Sequence, residues 1–132
     1  MTPDLHMKAT LGLRLHGWLT TARISNCPTV VSNVLVGAAL AGAMQPNAQV
    51  GLLVAAMVLY YTAGMILNDV CDFNWDKQYR PTRPMPAGLV SRGAGAVATL
   101  ALFAIGGALL WSAGGSPVVL TGLVLIGFIV PV

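Results

Sequence analysis

Three of the four acidic residues in the chain fall within eight positions, in the run Asn68-Asp-Val-Cys-Asp-Phe-Asn-Trp-Asp76. On a helix turning by about 100° per residue, with Asn68 at zero, Asp72 lies near 40°, Asp76 near 80° and Asp69 near 100°. The four side chains then share one quadrant and place oxygen atoms on successive turns. A hard cation such as Mg2+ suits that donor set, and its reluctance to shed water favours ligation by one or two carboxylates completed by a substrate phosphate. No His or Cys shares the face to suggest zinc. Asn68, Asp69, Asp72 and Asp76 are therefore the candidate metal ligands, Mg2+ is the expected cofactor, and the three acids are the candidate catalytic groups. The plainer alternative is a solvated helix end carrying ordinary loop acids. It leaves three acids opposing the dipole at a helix C-terminus, with no cation one turn earlier to offset them.

The acids run directly into Lys77-Gln-Tyr-Arg80-Pro-Thr-Arg83-Pro-Met-Pro-Ala-Gly88. A metal site beside cations in a proline-stiffened segment describes a diphosphate site. Arginine clamps phosphate oxygens with paired donors, lysine acts as a point charge, and both can stabilise a leaving diphosphate as its charge develops. The same cations admit a topological reading, because cytoplasmic loops of membrane proteins are basic in any case.

The elements that must position these groups are set by composition. Of the 132 residues, 56% are hydrophobic and 8% charged, against about 25% charged in soluble domains. Ile24 to Asn68 is a stretch of 45 residues without Asp, Glu, Lys or Arg, and Gly93 to Val132 is another of 40. A helix crosses a hydrocarbon core of about 30 Å with roughly 20 residues, so each stretch has room for two crossings. The expected fold is an all-α membrane protein, a polytopic helical bundle. Its spans are expected near 27–44, 50–71, 93–112 and 118–132, behind an interfacial segment at 1–26 and around a loop at 72–92. The turns are signalled by Gln45-Pro46-Asn47 and by Gly114-Gly115-Ser116-Pro117.

Residues 1 to 23 hold Asp4, His6, Lys8, Arg14, His16 and Arg23 with no apolar run between them, unlike a cleaved signal peptide. All seven cations fall in the first segment and in the 72–92 loop, which places both on the cytoplasmic side; the expected location is a bacterial inner membrane. The net charge of +3 is not gathered into a basic domain, so no nucleic-acid partner is expected. Cys27 and Cys71 are too few and too far apart for a zinc framework and read as reduced packing residues. Ala38 and Gly42, in small-xxx-small spacing, suit close helix packing. Gly93-Ala-Gly95-Ala-Val-Ala98 formally fits a dinucleotide-binding pattern, but it lacks the preceding strand and the later acid.

Taken together these residues resemble the UbiA superfamily of intramembrane prenyltransferases. Asn68-Asp69-x-x-Asp72-x-x-x-Asp76 looks like that family's first aspartate-rich motif, NDxxDxxxD, and Arg80-Pro-Thr-Arg83-Pro-Met-Pro-Ala-Gly is similar to its RPxRPxPSG continuation. Arg23 and Asn26 resemble the family's entry into the first helix. The resemblance implies a fold of about nine helices, of which this chain holds the N-terminal portion. A second aspartate-rich motif would lie in the C-terminal half, and Val132 ends an apolar run without a polar flank, as a fragment would. It also implies Mg2+-dependent transfer of an isoprenoid chain from a polyprenyl diphosphate to a lipophilic acceptor, often aromatic, within the lipid bilayer. Arg23, Asn26, Lys77, Arg80 and Arg83 would bind substrate. Tyr60 and Tyr61 would line the prenyl tail or simply pack. Two rival readings are a carrier whose acids form an ion pathway, and a relative of the enzymes that binds prenyl lipids without turnover. No further acid occupies the spans to continue such a pathway.

Overall fold

The computed structural model describes residues 3–42 and 47–114, with side chains from residue 10 onward. It is all-helical over those residues. Helix α1 (Pro3–Thr21) leads through a 3-10 turn (Ile24–Asn26) into α2 (Cys27–Leu40), followed by α3 (Ala48–Cys71), α4 (Phe73–Tyr79) and α5 (Arg92–Gly114).

Local chemistry explains several of the boundaries. Arg23, between α1 and the 3-10 turn, is held left-handed at φ 47° and ψ 47°, a conformation that costs most non-glycine residues energy. Pro28 lies in the first turn of α2, where its missing N–H is of no consequence and its fixed φ already suits the helix. Asn47 caps α3 by accepting a 2.9 Å hydrogen bond from the Val50 N–H.

α3 and α5, with 24 and 23 residues, are both long and apolar enough to cross a membrane; at about 1.5 Å per residue each reaches roughly 35 Å. α5 keeps large apolar side chains exposed, among them Val97, Leu100, Ile105 and Trp111. The four expected spans are thus found only in part. α2 has 14 described residues, short of the 27–44 expectation, and the expected 118–132 span lies outside the described residues. The expected 1–26 segment is largely helical.

The 72–92 segment is more ordered than a plain loop. α4 occupies its first third, with Asp76 facing inward and Trp75 and Tyr79 outward, their rings 4.1 Å apart. Aromatic pairs of this kind suit the membrane–water boundary. Beyond α4 the prolines fold the chain through consecutive turns, with bonds from Arg83 N–H to Arg80 O, Ala87 N–H to Arg83 O and Leu89 N–H to Pro84 O. Gly88 completes them at φ 79°, a value glycine adopts without penalty.

α3 packs most extensively on α5 and also on α2. Two apolar clusters hold the bundle. One joins Ala56 and Tyr60 of α3 to Leu110 of α5, with Phe103 5.6 Å from Tyr60 between ring centroids. The other, beneath the site, gathers Ala22, Ile66, Val70, Met85 and Val90, with Trp18 and Phe73 against it. Met85 and Val90 plug the end of the bundle from the proline-rich turns, and Gly17 lets α1 approach Leu89 closely.

Candidate functional site at the end of α3

Asn68 and Asp69 occupy the last turn of α3, and Asp72 is the junction residue at which that helix stops. Its ψ of 0° departs from the helical value, although the Asp72 N–H still bonds to the Asn68 carbonyl and the Asp76 N–H to the Asp72 carbonyl, at 2.9 and 2.8 Å. The motif is thus split between two helices, and its side chains divide into the two pairs that lie nearest each other on the expected face. Asn68 and Asp72 are exposed, and the Asn68 Nδ2 donates to Asp72 Oδ2 at 3.3 Å. Asp69 and Asp76 are buried, with side chains 9% and 2% accessible, and both accept from the same Arg83 nitrogen. Nη1 lies 2.7 Å from Asp76 Oδ2 and 3.3 Å from Asp69 Oδ1. Burial without water makes a carboxylate costly unless it is paired, and Arg83 supplies that partner.

Among the described residues, no three His, Cys, Asp or Glu side chains converge to hold a metal ion. The donor chemistry of Asn68 and Asp72 nevertheless fits Mg2+. An amide oxygen and a carboxylate one turn apart on an open surface can take two octahedral positions and leave the rest to water and phosphate.

The other expected site residues are distributed around this centre. Lys77 and Arg80 are exposed on α4 and just after it, and among the described residues their side chains make no hydrogen bond or ion pair. Arg23 attracts Asp69 electrostatically from the α1–α2 junction. It also lines, with His16, Thr20, Ser25 and Asn26, an open cavity of about 330 Å³. Asn26 is turned to α3, its Nδ2 donating to the Tyr61 hydroxyl at 3.0 Å. Tyr60, by contrast, belongs to the helix–helix core, where Gly106 lies against its ring. Cys27 and Cys71 are free thiols.

Two features escape sequence reasoning. Arg92, at the start of α5, sits over the Phe73 ring at 5.7 Å, a cation–π contact that ties α4 to α5. The tie between Asn26 and Tyr61 spans 35 residues. Only the presence of polar groups at the edges of apolar segments hinted at either.

These features define a class: a membrane-embedded helical protein with a polar site of acids and cations where two apolar helices end. The chain belongs to the UbiA prenyltransferase family, which matches residues 30–130. It is similar to the digeranylgeranylglyceryl phosphate synthase of Methanopyrus kandleri, with 36% identity over 70% of this chain and 34% of the relative. The synthases of the same name from Thermococcus kodakarensis, at 32% identity over 75% and 36%, and Natronomonas pharaonis, at 33% over 70% and 33%, are similar too. The chain spans about a third of the length of the curated relatives it matches. These relatives are archaeal and lend no support to the expected bacterial origin. No solved structure gives a significant match.

Proposed function

We propose that the full-length protein is an intramembrane prenyltransferase that moves an isoprenoid chain from a prenyl diphosphate to a lipid acceptor. The observation that carries this reading is the pairing of exposed Asn68 and Asp72 with the unpartnered Lys77 and Arg80 at the end of a membrane-length helix. In the proposed reaction the bond between C1 of the prenyl chain and the diphosphate oxygen breaks, and both electrons leave with the diphosphate. The acceptor then forms the new bond to C1 and releases a proton to a base supplied elsewhere in the full protein. Mg2+, when bound, would supply charge neutralisation at the diphosphate.

The chain's own residues do the remaining work. Asn68 and Asp72 would hold Mg2+, while Lys77 and Arg80, one and four residues beyond Asp76, are placed to meet the free diphosphate oxygens. Arg23 would approach from the α1 side. Asp69, Asp76 and Arg83 lie behind this front, bonded to one another. The apolar helices would house the prenyl tail and keep water from the allylic cation.

The names of the relatives favour an acceptor built on a glyceryl phosphate carrying a prenyl group over an aromatic one. The deciding assay offers purified full-length protein a C20 prenyl diphosphate with Mg2+ and either acceptor class. Prenylation of the glyceryl phosphate lipid is expected. Product from the aromatic acceptor alone would overturn the acceptor assignment, and no diphosphate release with any acceptor would overturn the activity.

The reading carries an orientation, since the site must share a side with the basic N-terminal segment. Gln49, in the first turn of α3, and Gln78, in α4, lie at opposite ends of a membrane-length helix. Single cysteines at these positions are expected to react with an impermeant maleimide from opposite faces of the membrane. Labelling of both from one face would sink this topology.

A further inference from the structure

Arg83 is the expected diphosphate clamp that the geometry places differently. Its Nη1 alone makes both ion pairs found among the described residues, to Asp69 at 3.3 Å and Asp76 at 2.7 Å. These partners lie 14 and 7 residues back along the chain, so the contact closes the proline-rich turns onto the end of α3. Two residues further on, Met85 is buried in the apolar cluster with Ile66 and Val70. The polar bridge and the apolar plug thus hold the same turn from two sides.

We propose that Arg83 is a positioning residue: the single nitrogen held between Asp69 and Asp76 fixes the Asp76 carboxylate and anchors the 80–90 turns beneath the site, with Asp69 as its buried partner. The assignment rests on the diphosphate-site reading above. Three physical points support it. A guanidinium already bonded to two buried carboxylates has its charge compensated, whereas Lys77 and Arg80 remain uncompensated and exposed. Groups that face a metal or substrate depend on the bonded groups behind them for their orientation, and Asp69, Asp76 and Arg83 form that supporting set behind Asn68 and Asp72. Finally, both bonds come from one nitrogen rather than from the planar fork of the side chain. Paired oxygens are what that fork recognises, and an ammonium group cannot reproduce it. A bridge made by one nitrogen is within the capacity of an ammonium with three donors.

The two roles separate in the Arg83→Lys and Arg83→Gln variants of the full-length protein. Anchoring is read by trypsin: Arg80 and Arg83 each precede proline, which protects their bonds, so the cleavable bonds in this segment follow Lys77 and Arg92. Cleavage after Lys77 in α4 requires local opening of that helix. Site geometry is read by the affinity for inorganic diphosphate in the presence of Mn2+. Arg83→Lys is expected to stay within about threefold of wild type in both measurements, since the bridge survives. Arg83→Gln is expected to be cut at least about tenfold faster and to bind diphosphate at least about tenfold more weakly. A protected Arg83→Lys that binds diphosphate tenfold more weakly would show the guanidinium touching diphosphate directly and overturn the proposal. Rapid cleavage of Arg83→Lys, or normal binding by Arg83→Gln, would overturn it as well. If wild type shows no Mn2+-dependent diphosphate binding, the diphosphate reading falls, and the tryptic comparison alone decides the anchor.

Discussion

Asp72→Asn is expected to reduce Mg2+-dependent consumption of prenyl diphosphate by the full-length protein at least about 100-fold, because groups that merely support a ligand already cost 10- to 100-fold when lost. Asp72 is the exposed acid of the motif, and its side chain has one bond among the described residues, from Asn68 Nδ2 at 3.3 Å. The α3–α4 junction is held instead through its backbone, by bonds that the substitution leaves in place. Asparagine keeps the shape and an oxygen able to accept from Asn68 but removes the charge that Mg2+ requires. The expected outcome is loss of turnover with unchanged thermal stability and tryptic pattern. Asp76→Asn should behave differently. It removes the shortest ion pair and leaves a partly unpaired Arg83 beside buried Asp69, so stability should fall together with activity. Wild-type turnover in Asp72→Asn would remove Asp72 from the metal site.

The contrast between those two acids shows where the sequence is informative. An acidic run inside an apolar chain is legible because carboxylates in a membrane protein are expensive and need a reason. The same economy points to helices near 50–71 and 93–112 inside two longer charge-free stretches, and the structure has α3 at Ala48–Cys71 and α5 at Arg92–Gly114. The division of labour within the motif was legible only in part. A helical wheel sets Asn68 and Asp72 apart from Asp69 and Asp76, but it cannot know which pair is buried or that Arg83 returns to Asp69. The prolines after Arg80 read as stiffening, yet in the structure they are turn residues, and it is the turning that brings the guanidinium back. Arg23 and Asn26 were singled out by resemblance alone. Their placement depends on a left-handed residue at position 23 and on Tyr61 opposite, neither of which has a local sequence signature.

The second large effect is expected at Gly95, where α5 crosses α3 beneath the site. A Cβ added there would lie 2.9 Å from Val70 Cγ2 and 2.5 Å from Met85 Cε, with Ile66 Cγ2 at 3.6 Å. The two near neighbours differ in how far they can give way. Met85 Cε ends a flexible side chain, though one enclosed by the cluster, whereas Val70 is β-branched and confined to one main rotamer on a helix. The strain against Val70 therefore falls on α5. Overpacking a core costs about 1–3 kcal/mol, and Gly95→Val, with two methyls beyond the Cβ, belongs at or above the upper end. The displacement reaches the site because Met85 shares its turn with Arg83, the bridge to Asp69 and Asp76. Gly93, two residues earlier on α5, has open space where its Cβ would go. Gly93→Ala should leave stability unchanged or raise it by up to about 1 kcal/mol, as alanine favours helix over glycine. Thermal unfolding of the full-length protein in detergent measures both. A Gly95→Val variant as stable as Gly93→Ala would mean that α3 and α5 do not pack at this point.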